Sequence, residues 1–140
     1  MQAFHYRVAV VLLGGVLAFS PVWAAQWKEV FRQQGEVRYL DTASIKHEGH
    51  TFSIWELDDY AKARANAPGS KAAYKSRVYQ SVGNCQTKSI RSVKMYFYEK
   101  GMATGNVVYT LTFPPSPDEE APPGSIGRDL IDYFCAKPRK

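Results

Sequence analysis

Cys135 closes the one segment of this chain with a clear helical repeat, and the only other cysteine, Cys85, stands fifty positions earlier between two strand-like runs. From Ser125, a good N-cap residue, the pattern predicts a helix to about Ala136. Ile126, Leu130, Ile131, Phe134 and Cys135 fall on one broad face, while Arg128, Asp129 and Asp132 fall elsewhere. The apolar face must lie against whatever carries Cys85, so a Cys85–Cys135 disulfide would staple the terminal helix across a sheet. Two cysteines this far apart, with no CxxC and no accompanying histidine pattern, make a poor zinc site. Closing a loop of this length contributes roughly 4 kcal/mol in the chain-entropy account, a large share of the ~5–15 kcal/mol that holds an ordinary domain together.

The first 24 residues say where such a bond would form. A short start with one charge (MQAFHYR) leads into VAVVLLGGVLAF, then Pro21 and V-W-A. This is the layout of a secretory signal peptide, with cleavage expected after Ala24. A membrane span needs ~20 apolar residues, and this core is shorter and broken by Pro21. No cysteine lies near the cut. The expectation is therefore an exported chain, periplasmic or released, without a lipid anchor or a transmembrane span. Export places both thiols in oxidising surroundings. The 116 residues that remain suit one domain, 25–140.

Between the leader and the helix the chain reads as six short strands. They are WKEVF (27–31), EVRYL (36–40), TFSIWELDDY (51–60), AYKSRVYQSV (73–82), SIRSVKMYFY (89–98) and VVYTLTF (107–113). In 107–113, Val107, Tyr109, Leu111 and Phe113 alternate with Val108, Thr110 and Thr112, a clean period of two. TFSIWELDDY is apolar on both faces, which predicts a central position. DTASI (41–45) reads as a tight turn, HEGH (47–50) as a loop tip and AKARANAPGSK (61–71) as a flexible basic loop. The proline-rich PPSPDEEAPPG (114–124) is a connector long enough to cross a sheet. The fold expected is α+β: about six antiparallel strands with one C-terminal helix packed on one face and tethered by the disulfide.

Catalytic and cofactor chemistry finds no purchase in these residues. Asp41-Thr42-Ala43 lacks the glycine of an aspartic-protease loop, and His47 and His50 offer too few ligands for a metal. No nucleophile elbow and no phosphate-binding glycine loop is present. The expectation is a non-enzymatic protein without a cofactor, a metal or a nucleic-acid partner. Charge is the feature that points toward a ligand. Eighteen basic residues stand against 13 acidic ones, a net +5 that loses only Arg7 with the leader. Lys62, Arg64, Lys71, Lys75 and Arg77 gather around the 61–71 loop, and Lys88, Arg91 and Lys94 follow. Of these, Lys71, Lys75, Arg77, Lys88 and Arg91 are the candidate polyanion-binding residues, with Lys75 and Arg77 placed on one strand face with Tyr79. The same charges also read as an ordinary solvated face.

From W-K-E-V at 27–30 to the last cysteine, the chain resembles the surface-adhesin protein E-like family of exported Gram-negative proteins. The resemblance rests on YLDTASI, IWELDDY, SK at 70–71, Cys85, GMATGNVV (101–108) and the closing PPGSIGRDLIDYFC. It implies a six-stranded antiparallel sheet with a disulfide-tethered C-terminal helix. It also implies adhesion, through host extracellular-matrix proteins or heparin-like sulfated glycans. The alternative is a soluble periplasmic envelope-maintenance or assembly factor, a homodimer through the second sheet face.

Overall fold

The computed structural model describes residues 24–67 and 69–136. The expected leader thus lies, but for Ala24, outside the described residues. Seven strands form one antiparallel sheet: β1 (Trp27–Gln33), β2 (Glu36–Asp41), β3 (Lys46–Glu48), β4 (Thr51–Arg64), β5 (Tyr74–Asn84), β6 (Ser89–Tyr98) and β7 (Val107–Thr112). Six follow the order β1-β2-β4-β5-β6-β7, and β3 pairs with the start of β4. One helix among the described residues, α1 (Ile126–Cys135), follows.

The central strand is β4, as its two-sided apolar pattern predicts. Its Phe52, Ile54, Glu56, Asp58 and Tyr60 point to one face, where all five are buried. On that face Phe52, Ile54 and Leu40 meet Leu130, Ile131 and Phe134 of α1. Gly83 stands opposite Phe52, and a Cβ there would run into the Phe52 ring. The missing side chain lets that ring lie flat over β5 and reach Phe134, at 5.1 Å between centroids. A second apolar cluster, with Tyr60, Tyr74, Tyr79, Met95 and Phe97, occupies the other end of the same face. Ala67, from the loop before β5, is buried against it.

Local chemistry fixes the helix and its tether. The Ser125 hydroxyl accepts from the Arg128 amide at 3.2 Å, satisfying a donor that the first turn leaves open. The connector reaches that point along β6: the Ala121 amide donates to the Lys88 carbonyl at 2.8 Å, and Ser89 bridges to Glu120. Cys85 directly follows β5, and its disulfide to Cys135 holds the two Cα atoms 5.6 Å apart. The end of α1 is thereby fixed over the sheet.

Two segments differ from the reading of the sequence. The loop expected from residue 61 begins later, because β4 runs on to Arg64. Its last turn of sequence is held from both sides: Ala61 donates to the Gly35 carbonyl at 3.0 Å, and the Arg64 guanidinium lies 4.0 Å over the Tyr60 ring. His47 and Glu48, expected in a loop tip, belong to β3. Here the DTASI turn lets one edge of β4 pair first with β3 and then with β2. The Ser44 hydroxyl accepts the Trp55 amide at 3.0 Å, filling the ladder position between them.

Candidate functional site

Polar side chains concentrate in two places, one on each face of the sheet. On the helix face, Asp58 is fully buried and Glu56 nearly so, between the two apolar clusters. Arg38 from β2 and Arg77 from β5 stand opposite Asp58 on either side. Arg38 donates through Nε at 2.6 Å and Nη2 at 3.2 Å, and Arg77 through Nε at 2.9 Å with Nη2 at 2.8 Å. The Tyr79 hydroxyl donates to Glu56 at 3.1 Å. Burial pushes the Glu56 carboxyl above its ordinary range, against the pull of Ser81, Arg38 and Tyr79. Burial works against the charge on Arg38, yet its bonds to Asp58 raise it overall. Two guanidiniums facing two carboxyl groups close on themselves. A cavity of about 260 Å³ borders this cluster under α1, with Arg91 of β6 also on its wall; the four charges of the cluster itself already have partners, which makes it a structural seam.

Among the described residues, the opposite face carries no helix. Strand register places Tyr39, Trp55, Leu57, Val78, Tyr96 and Tyr98 there. Leu57 is fully buried within the face, whereas the four aromatic residues are half-exposed. Trp55 and Tyr96 lie 6.1 Å apart between centroids, and the Lys94 ammonium sits 5.0 Å over the Tyr96 ring. Lys46 pairs with Ser53, Ser53 with Val82, and Val82 with Arg91, so the four form a row across the sheet. The next row holds Trp55, Gln80 and Lys94. Among the described residues, none of Lys46, Arg91 and Lys94 has an ion pair. A cavity of about 280 Å³ opens beside Trp55, lined also by Ala24, Asp41, Ala43, Ser44, Lys46, Ser53 and Gln80.

The five candidate polyanion-binding residues do not form one patch. Arg77 is held by Asp58 on the helix face. Lys71 is exposed in the loop before β5 and Lys75 is half-exposed at that strand's start, whereas Lys88 is exposed in the turn beyond its far end. At ~3.3 Å per residue, the length of β5 sets Lys75 and Lys88 roughly 30 Å apart. Arg91 is the one whose register brings it into line with other unpaired cations. Lys46 was not singled out from the sequence, because a turn reading hides the face on which it sits. The signal available was the period-two pattern of TFSIWELDDY, which requires a second, aromatic face around Trp55.

A third cavity, about 530 Å³, separates β1 from α1 and is mainly apolar, with Val30, Phe31, Ile45 and Leu130 among its walls. No group of histidine, cysteine and acidic side chains able to hold a metal occurs among the described residues. No helix among them is long and apolar enough to cross a membrane.

The solved structures that resemble this fold include crystal form II of Haemophilus influenzae protein E, with a TM-score of 0.52 and 17% identity over 71% of this chain and 80% of that one. Protein E from non-typeable Haemophilus influenzae gives a TM-score of 0.55 and 15% identity, covering 84% of this chain and 81% of that one. At this identity the likeness speaks for the fold. No curated protein sequence matches the chain. The profile of the family described as Surface-adhesin protein E matches residues 27–136, from the first residue of β1 to the residue after α1. The chain belongs to the surface-adhesin protein E family.

Proposed function

We propose that this protein is an exported, non-enzymatic binding protein that recognises extracellular ligands, sulfated heparin-like glycans first and host matrix proteins second. The observation that carries the reading is membership of a surface-adhesin family over the whole described domain. The helix-free face supports it. Lys46 lines the cavity with Trp55, Lys94 sits over the Tyr96 ring, and Arg91 falls in the register row of Lys46, none of the three in an ion pair among the described residues, which suits a polyanion better than a neutral ligand. Cleavage after Ala24 would start the mature chain two residues before β1, leaving the sheet whole.

Chromatography of the exported chain on immobilised heparin tests this reading. The protein is expected to be retained at about 0.15 M salt and released steeply as salt rises, because each neutralised anion frees counterions. Joint charge reversal of Arg91 and Lys94 should bring elution to markedly lower salt. Flow-through of the unaltered protein at about 0.15 M salt would refute the glycan reading.

A further inference from the structure

We propose that the cavity beside Trp55 is a saccharide subsite holding a single sulfated sugar ring against the Trp55 indole. The inference rests on the glycan reading above and assigns it to particular residues. At about 280 Å³ with Ala24 on its wall, and more open once that residue leaves with the leader, the cavity lies at the lower end of the range of pockets for drug-sized molecules. That is room for one ring and its substituents, not for a folded peptide.

The cavity's chemistry is that of a carbohydrate site. Trp55 presents an apolar face with a polar edge, suited to the C–H face of a pyranose. It is well placed to hold a fixed ring: it stands on the central strand, its amide is bonded to Ser44, and its ring is braced against Tyr96. Polar groups of both signs surround it. Asp41 Oδ1 accepts from the amides of Gln26 and Ala43, which fixes the carboxylate and leaves Oδ2 as the oxygen able to accept from a ligand hydroxyl. Ser53 and Gln80 offer both donors and acceptors.

The cations decide the class of sugar. Lys46 lines the cavity, while Arg91 and Lys94 stand on β6, two strands beyond Trp55. With strands ~4.8 Å apart, Lys46 and Arg91 flank the site across roughly 14 Å. Within the cavity Lys46 stands against one carboxylate, Asp41. On the glycan reading Lys46 meets a sulfate of the bound ring, and Lys94 and Arg91, outside the lining, meet those of neighbouring rings in the chain.

The test is titration of the exported chain with a heparin-derived tetrasaccharide, followed by indole fluorescence and calorimetry. Binding should perturb the indole emission. Trp55→Ala should weaken binding about tenfold or more, as for aromatic anchors elsewhere. Lys46→Gln should weaken it and lower the salt slope by about one unit. Tyr133→Phe, on α1 and exposed on the other side of the sheet, should bind as the unaltered chain does. Trp55→Phe keeps an aromatic platform and should retain most of the affinity, which covers the case in which Trp55→Ala fails to fold.

The outcomes separate the two readings. If the unaltered chain binds the tetrasaccharide while Trp55→Ala, or Trp55→Phe together with Lys46→Gln, binds equally well, the subsite is overturned and the glycan reading stands. If the unaltered chain binds no heparin fragment, both fall. Equal affinity for the N- and O-desulfated tetrasaccharide, whose uronate carboxylates remain, would overturn the assignment to sulfate.

Discussion

Replacing Asp58 by Asn removes one charge and almost no volume from the middle of the sheet. Asp58 is fully buried, and both of its oxygens are engaged by Arg38 and Arg77. The variant leaves two guanidiniums side by side without their shared counter-charge. Removing one member of a buried ion pair costs about 3–5 kcal/mol. Here the arginine side chains are 18% and 28% exposed, so water screens part of the loss and the lower end, about 3 kcal/mol, is expected. With a urea dependence near 2 kcal/mol per molar for a domain of this size, the unfolding midpoint should fall by about 1.5 M at unchanged slope. Urea unfolding followed by tryptophan fluorescence reads this directly. The converse variant, Arg38→Met, Asp58→Leu and Arg77→Met together, should be neutral or more stable, because apolar packing replaces the buried ion triad while Glu56, its carboxyl already raised by burial, keeps its bond from Tyr79. A loss below about 0.5 kcal/mol in Asp58→Asn, the scale of surface changes, would refute the buried-network reasoning. So would a triple variant as unstable as the single one.

The tether and the buried glutamate give two further expectations. Cys135→Ser should cost about 2–4 kcal/mol, given the 50-residue separation that the bond closes; non-reducing peptide mapping should first find Cys85 joined to Cys135, and two free thiols would contradict it. Glu56, whose carboxyl is raised by burial, holds its proton more tightly folded than unfolded, so its contribution is fully present below the unfolded value near 4.5 and is lost as pH rises through the folded one. Glu56→Gln should therefore gain stability relative to the unaltered protein as pH is raised from 4 toward 8 in thermal melts, and a constant difference across that range would contradict the assignment.

The strands and helix that carry strong periodicity were legible in the sequence. The face of α1 around Leu130, Ile131 and Phe134 and the alternation of 107–113 are local patterns, and the structure realises both. The Cys85–Cys135 bond was legible because only one pairing exists. What escaped is non-local. The end of β4 depends on Arg64 finding Tyr60 and Glu36, and Glu36 is 28 residues away in sequence. Arg77 looked like a free surface charge because Asp58, 19 residues earlier, becomes its partner only once β4 and β5 pair. Lys46, Arg91 and Lys94 become neighbours only through the register of four strands, which no local pattern encodes.

The central claim is that ligand binds on the helix-free face, and amide and indole NMR shifts of the exported chain during titration with a sulfated oligosaccharide test it most directly. The account predicts perturbations concentrated at the Trp55 indole, Lys46, Ser53, Gln80, Arg91 and Lys94, with Arg38, Asp58 and α1 unmoved. Shifts centred on Lys71, Lys75 and Arg77, or on α1, would contradict it, as would a spectrum unchanged by the sugar.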